Sequence, residues 1–329
     1  MTKNIEVVGL GALNIDRLYR VECILEDGES VVNEALSSPG GSAANTIYGL
    51  ARLGVATGFC GIIGDDAEGR ILIEDFEKVG VDTTQIRVAS GVKTGSVLCL
   101  SDRKGQRSLY VTPAANSLLT GDDLDPVYIN RAKLLHLSSF AGDRQFEVLL
   151  KLMDGLSPST RLSFAPGALY AAKGIDTLSP IIARTHVLFA NRDEIGQLSG
   201  EDISNGAKRC LKLGCAIVAV TLGRGARVEL GQGIGRKTVT ATCYLRNAER
   251  EEVIEPARDT AYGVDTTGAG DAFATGFLYG LLKGKGLREC GCLGDTTARY
   301  SISRVGAREG LPTTKELRQH YNRLCSQEL

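Results

Sequence analysis

Eleven residues, Gly263 to Phe273, read GVDTTGAGDAF and set two threonines and two glycines between two aspartates. Behind Asp271 the apolar residues Phe273, Ala274, Phe277, Leu278 and Leu281 recur at helical spacing, which puts Asp271 in a helix's first turn. Gly268, Ala269 and Gly270 then supply the first free amides of that helix. Unpaired N–H groups and the positive end of the helix dipole attract an anion, and glycines let a bulky phosphate approach the backbone. A carboxylate beside a bound anion is electrostatically misplaced unless it accepts the proton of an alcohol that attacks the anion. A helix cap beside a turn is the bland alternative. It would win for a lone G-x-G-D, but the full stretch is more specific. Gly276 and Gly280, one turn apart, predict that this helix packs closely against its neighbours.

Other chemistries are weakly supplied. Gly9-x-Gly11 follows a strand pattern, but Asn14 stands where a dinucleotide fingerprint has its third glycine and no amphipathic helix follows. No G-x-x-x-x-G-K-[ST] occurs. The histidines, 136, 186 and 320, form no ligand-spaced cluster, which argues against a zinc site. Nine cysteines, an odd number without a C-x-x-C pair, lie mostly in apolar runs and read as buried thiols of a reducing compartment. A net charge of −1 provides no field for nucleic acid. Apolar stretches are strand-sized, so no membrane span is expected. The N-terminal MTKNIEVVGL goes straight into a strand pattern without a signal peptide, and the expected location is cytoplasmic.

The elements that must position these residues alternate. IEVVGLG (5–11) and ATGFCGIIG (56–64) are buried strands. PGGSAANTIYGLARLG turns at Gly40-Gly41 into a helix with Ile47, Leu50, Ala51 and Leu53 on its apolar face and Gly54 as its stop. AEGRILIEDFEKVG (67–80) is a second helix. From about residue 132 strands and helices follow one another, which predicts a mostly parallel, helix-covered sheet in a chain of 329 residues. Two β-prone insertions, 14–39 and 93–112, break that rhythm and are expected to pair as one small lid sheet. The second is a hairpin turning at Asp102-Arg103-Lys104-Gly105, and alternation puts Val97, Cys99 and Leu109 on its buried face. No linker marks independent domains, so 1–329 reads as a single domain.

VDTTGAGDAFATGF, PGGSAANTIYGLARLG and FANRDEIGQLSG, taken together and in order, resemble the ribokinase-like (PfkB) carbohydrate kinases, with some likeness to their nucleoside and adenosine kinase branch. The resemblance spans the whole chain. It implies an α/β/α three-layer sandwich with a mostly parallel central sheet and a small β lid. It implies an ATP-dependent kinase that moves the γ-phosphoryl group to a primary hydroxyl of a sugar or nucleoside. Asp271 is then the catalytic base, and Gly268, Ala269 and Gly270 form the anion hole. Asn191 and Glu194 organise Mg²⁺ through water; a capping asparagine with a first-turn acid is their bland alternative. Asn191, Thr221, Gly223, Gly225 and Asp295 border the nucleotide. TLGRGA is one residue shorter than in many relatives, which leaves Arg224 and Gly225 as alternative contacts there. Asp265 and Thr267, with carbonyls of SRVGAREG (303–310), match a monovalent-cation (K⁺) site.

On the acceptor side the resemblance implies Asn14, Asp16, Gly40, Gly41 and Asn45 as hydroxyl contacts, with Ser139 beside them. Ribokinases carry a glutamate near the end of the strand that here reads LLHLSSF, where this chain has Ser138 and Ser139. Many relatives have an aspartate where this chain has Ala165. The pocket is therefore less acidic than a ribose pocket, and GGSAANT and RSLYVTPAAN resemble the nucleoside-kinase branch. A nucleoside is the favoured acceptor, its base packed near Leu109 and Tyr110. A ribokinase- or fructokinase-type sugar kinase, or a sugar-phosphate kinase in which Arg107 holds the phosphate, is the alternative. A binding protein that keeps the fold without the chemistry is the reading outside enzymes. The lid's outer face, if apolar, is expected to join two copies, as lids do in several relatives.

Overall fold

The computed structural model describes residues 5–103, 106–231, 237–256 and 265–325. Gly263 and Val264 of the aspartate-rich stretch, the Lys104-Gly105 turn and Met1–Asn4 lie outside them. The strands are β1 (Val7–Leu10), β2 (Asn14–Val21), β3 (Val32–Gly40), β4 (Thr57–Gly64), β5 (Asp82–Ala89), β6 (Gly95–Ser101), β7 (Arg107–Thr112), β8 (Leu134–Ser138), β9 (Arg161–Ala165), β10 (Thr185–Asn191), β11 (Ile217–Leu230), β12 (Lys237–Asn247) and β13 (Glu251–Ile254). The helices are α1 (Ser42–Arg52), α2 (Ala67–Lys78), α3 (Pro126–Arg131), α4 (Asp143–Gly155), α5 (Gly167–Ala171), α6 (Gly174–Arg184), α7 (Arg192–Ser199), α8 (Ile203–Lys212), α9 (Ala269–Leu282), α10 (Leu287–Ser301) and α11 (Thr314–Cys325).

Nine strands form the main sheet in the order β13-β12-β11-β10-β9-β8-β1-β4-β5. Neighbours from β5 to β11 run parallel, and β12 and β13 add an antiparallel edge. Every residue of β1 and β4 is buried, as expected of strands covered on both faces. One face packs Leu135, Phe164 and Leu188 under α3 to α8. The other packs Val7, Phe59 and Phe189 under α1, α2, α9, α10 and α11. The result is the expected three-layer sandwich. Sequence reading passed over β5, β9, β12 and β13, whose short or polar runs carry little periodicity. It also ended one strand too early: β11 continues through TLGRGA, with its pairing to β12 shifted between Thr221 and Ala226.

Gly9 shows what the dinucleotide-like pair is for. A Cβ there would collide with Ile47 and crowd Phe59, so the glycine lets α1 lie directly on β1. The connection from β1 leads away from the sheet at the point where strand order reverses. β4 lies on one side of β1 and β8 on the other, so a crevice opens beyond their carboxyl ends.

The two insertions meet as a four-stranded sheet, β3-β2-β6-β7. β2 and β6, far apart in sequence, pair in parallel, while β3 and β7 flank them antiparallel. Cross-strand register puts Asp16, Leu18, Leu36, Val97, Cys99, Leu109 and Val111 on one face. Cys99 is buried there, but Leu109 is 54 % exposed, so the expectation of a buried Leu109 fails within one chain. The main sheet covers only the root of the lid, and β7 lies at its outer edge. Tyr110 pairs with Leu98 and sits on the opposite face from Leu109, so the two cannot share one contact.

α9 is buried on all sides from Ala272 to Gly280. A Cβ on Gly276 would strike the Leu293 carbonyl and Thr297, and one on Gly280 would press on Leu293 and Cys290. These glycines set the closeness of α9 and α10. Gly276→Ala should destabilise the fold by about 1–3 kcal/mol through overpacking against backbone, although alanine is the better helix former. A denaturant midpoint equal to or above wild type would show that the contact is soft.

Candidate active site

The N-terminus of α9 lies against α1. Gly268 caps α9 with φ 73°, the left-handed region that glycine tolerates, and a Cβ there would press on Ala307. The Ala269 N–H turns back to the Thr266 carbonyl at 3.2 Å. The amides of Gly268 and Gly270 have no acceptor among the described residues, so the loop keeps an amide mouth although one of its three expected donors is spent. Thr267 Oγ1, beside that mouth, accepts from Arg107 Nη1 at 3.4 Å, which brings a cation of β7 to the same place.

Asp271 stands in the first turn of α9, held by two donors of α1. Ser42 Oγ donates to its Oδ1 at 2.7 Å and Asn45 Nδ2 to its Oδ2 at 2.8 Å. Its pKa is raised to about 6. Burial raises it most, the two hydrogen bonds and the Arg308 guanidinium oppose the rise, and the Glu194 carboxylate adds to it. Such a group is ionised at neutral pH yet close enough to its pKa to take a proton.

The acceptor-side residues converge from the other direction. Asn14 starts β2, and its Oδ1 accepts from Asn116 Nδ2 at 2.9 Å. Asn116 also bonds both the N–H and the carbonyl of Leu13, so it fixes the lid root and commits Asn14 to presenting its amide N–H₂. Asp16, two residues on, is half-buried, and its Oδ1 is closed off from solvent with no partner among the described residues. A Cβ on Gly40 would collide with the Asp16 carboxyl group, and one on Gly41, at φ 100°, would strike the Ala12 carbonyl. Both glycines are therefore required to bring the β3–α1 turn against this carboxylate. Burial pushes the Asp16 pKa up to about 7; Arg308 and Arg107 lower it and Asp271 raises it.

The remaining sites have structural partners. Ser138 Oγ accepts from the Ala43 N–H at 3.1 Å and so anchors α1. Ser139 lies beside Gly167 at the start of α5. Asn191 and Glu194 form a reciprocal capping box on α7: Asn191 Oδ1 takes the N–H groups of Asp193 and Glu194, and Glu194 Oε2 takes that of Asn191. The bland alternative is thus present, but it occupies only one oxygen of Glu194. Burial raises the pKa of this carboxylate, and it lies within electrostatic reach of Asp271. Thr221 is paired with Asn191 across β10 and β11. Gly223 and Gly225 adopt positive φ in the register shift of β11. Asp295 on α10 is engaged by Arg299 one turn on. Asp265 accepts from the N–H groups of Thr267 at 2.8 Å and Gly306 at 3.0 Å, which clips the segment 303–310 behind the amide mouth. Among the described residues no cluster of three or more His, Cys, Asp or Glu side chains could hold a metal by itself.

Sequence reading missed Ser42, Asn116 and Arg308, although each lies in a motif it singled out. Helix register would have shown Ser42 one turn before Asn45, on the face that meets α9. Asn116 and Arg308 act across more than a hundred residues of chain, and no local spacing reveals such contacts.

The unpartnered oxygen and raised pKa of Asp16 have a consequence for stability. A folded-state pKa of about 7 against 3.8 means that the folded chain binds this proton more tightly than the unfolded one, so stability falls as pH rises through that window. Asp16→Asn, always neutral, should gain on wild type by up to about 1.4 kcal/mol per pH unit from about pH 4 to pH 7 and by no more above it. Melting curves of both at acidic and alkaline pH test this, and a gap independent of pH would refute it.

The pfkB family carbohydrate kinase model matches residues 4–314. A sugar kinase of Archaeoglobus fulgidus, itself uncharacterized, is 38% identical over 264 residues, 80% of this chain and 98% of its own. An ATP-dependent ribose-1-phosphate kinase of Halopiger xanaduensis is 29% identical and aligns over 83% of this chain and 84% of its own. The crystal structure of a ribokinase from Thermotoga maritima superposes with a TM-score of 0.79 at 26% identity, covering 96% of this chain and 99% of that one. With a carboxylate poised at an amide-lined helix terminus and a family match along nearly all of its length, the chain belongs to the pfkB family of carbohydrate kinases, phosphotransferases with an alcohol group as acceptor.

Proposed function

We propose that the chain transfers the γ-phosphoryl group of ATP to the primary hydroxyl of a ribosyl acceptor, with a nucleoside as the favoured class. The observation that carries this reading is Asp271, a half-buried carboxylate with two donors at the mouth of an amide-lined helix terminus. In this reading its oxygens orient the attacking hydroxyl and take its proton. The amides of Gly268 and Gly270 offset charge on the migrating group, as phosphoryl transfer needs positioning and charge stabilisation above all. Asn14 offers donors and Asp16 an acceptor, a pair suited to neighbouring ribose hydroxyls.

The nucleotide lies, in the same reading, along Asn191, Thr221, Gly223 and Gly225, with Asp295 at the far border. Glu194 has one oxygen outside its capping box, which suits a magnesium ion held through water rather than in an all-protein cage. That ion would neutralise charge on the donor's phosphates. Each Asp265 oxygen accepts one N–H and keeps a lone pair, which suits a monovalent cation near Thr267.

A nucleoside is favoured because Ser138 is committed to anchoring α1 and supplies no carboxylate for a free sugar. One charge-assisted contact, about 1.5–3 kcal/mol, is missing on that side. Leu18 and Leu109, which flank the buried Cys99, offer an apolar surface to a base instead. A sugar phosphate is the second reading. Arg107 beside Thr267 would hold its phosphate, and the similarity to the Halopiger enzyme favours it.

Adenosine, cytidine, inosine, ribose, fructose and ribose 1-phosphate should be compared by kcat/KM, with Asp271→Asn as the control. The best nucleoside should exceed ribose by about tenfold or more, the equivalent of the missing contact. The control should lose about 10²–10⁴-fold in kcat while still binding ATP. A free sugar or sugar phosphate that exceeds every nucleoside tenfold would remove the nucleoside assignment, and near-wild-type turnover in the control would remove Asp271 as base.

The outer strands of this sheet, β3 and β7, make a second copy the natural cover of the lid's edges. Leu36 and Leu109 are 44 % and 54 % exposed on the Asp16 face, too much apolar area to leave at an edge strand. Sedimentation should show a dimer that Leu109→Asp disrupts. A strict monomer at high micromolar concentration would rule the pairing out.

A further inference from the structure

Arg308 is a buried charge that none of the roles above uses. It lies in the segment behind the amide mouth, and its side chain is 3% exposed. Its guanidinium reaches three elements at once. Nη1 donates to Asp75 Oδ2 of α2 at 2.7 Å, Nη2 to the Gly40 carbonyl at 3.0 Å, and Nε to Asn45 Oδ1 of α1 at 2.9 Å. Tyr48 and Phe76 lie against it, with ring centroids 5.3 and 5.1 Å away. The in-plane bonds and the ring contacts together fix both its position and its tilt.

The partner set decides what this fixation is for. A structural cation would need a counter-ion and a packed cavity, and Asp75 with the two rings already supplies them. The other two bonds both end on the acceptor cradle. Asn45 has one carbonyl oxygen and one amide nitrogen. Because its oxygen accepts from Arg308, its nitrogen must face Asp271, where it donates at 2.8 Å. A reversed amide would set an oxygen lone pair against the carboxylate and lose both bonds. The Gly40 carbonyl belongs to the turn that closes on Asp16.

We propose that Arg308 is a positioning residue for phosphoryl transfer: by holding the Asn45 amide and the Gly40 carbonyl it sets the orientation of Asp271 towards the acceptor hydroxyl. The inference rests on the reading of Asp271 as base and makes no contact with substrate part of the role.

Arg308→Lys tests it. Lysine keeps a positive charge for Asp75 but cannot bond Asn45 and Gly40 in the same plane. Well below the melting temperature, kcat should fall about tenfold or more, because small misplacements of reacting groups cost rate steeply, while KM for ATP stays within about twofold. A kcat within about twofold of wild type overturns the proposal. The loss should also shrink in an Asn45→Ala background, since one of Arg308's two handles is then gone; fully additive losses overturn the proposal. If Arg308→Lys does not fold, Asp75→Asn is the second variant. It leaves Arg308 in place but unanchored, and kcat should fall about threefold or more with KM for ATP unchanged, whereas wild-type kcat overturns the proposal. Failure of the base assignment is distinguishable: it shows as turnover in Asp271→Asn, whatever Arg308→Lys does.

Discussion

Two carboxylates and a guanidinium share one nearly dry seam between the lid root, α1 and α9, and their mutual desolvation governs the rest of the structure. Asp16, Asp271 and Arg308 are each shifted most by burial; Arg308 and Asp271 come next for Asp16, the Asn45 and Ser42 hydrogen bonds for Asp271, and Asp75 for Arg308. Burying charge is costly unless it is bonded. Arg308 donates from all three of its guanidinium nitrogens and Asp271 is bonded on both oxygens, whereas Asp16 Oδ1 is buried without a partner among the described residues. Among the described residues the seam therefore holds an unmet hydrogen-bonding demand, at Asp16 Oδ1. A hydroxyl-rich ligand is the chemistry that meets it.

Glycine is what lets these charges meet. Gly40 and Gly41 bring the β3–α1 turn against Asp16, Gly268 brings the start of α9 against Ala307, and Gly9 lets α1 lie on β1. Gly40 leaves room for the Asp16 carboxyl itself, Gly41 and Gly268 let backbone close up beside the site, and Gly9 lets the apolar layers behind it touch. A substitution at any of them would change geometry before it changed chemistry.

Much of this was legible in the sequence, and the reason differs by element. β1, β4, α1, α2 and α9 carry either unbroken apolar runs or clean helical periodicity with glycine stops, so their type and place follow from pattern alone. The pairing of 14–39 with 93–112 followed from both being β-prone intrusions in a parallel rhythm. The antiparallel edge of β12 and β13 was not legible, because their runs are polar and one strand directly precedes a segment without pattern. Leu109 was assigned correctly to a face and wrongly to the interior, since alternation reports which side a residue is on and not what covers that side. Asp271, Asn14, Asp16 and Asn45 were singled out because each sits in a short motif. Ser42, Asn116 and Arg308 were not, because their value lies in whom they bond.

Asn191 and Glu194 show why a bland and a functional reading need not compete. The capping box holds Glu194 by one oxygen at the end of β10, next to Thr221 on β11. A carboxylate tethered by one oxygen has its other oxygen aimed and its side-chain freedom already lost in folding. The entropic cost of positioning it for a metal's water shell is then met by the helix it caps. Asp265 repeats the arrangement, clipping two loops with one N–H bond on each oxygen. In both cases the structural bond prepares the group for the role proposed here, and removing that bond would disorder the site as surely as removing the residue.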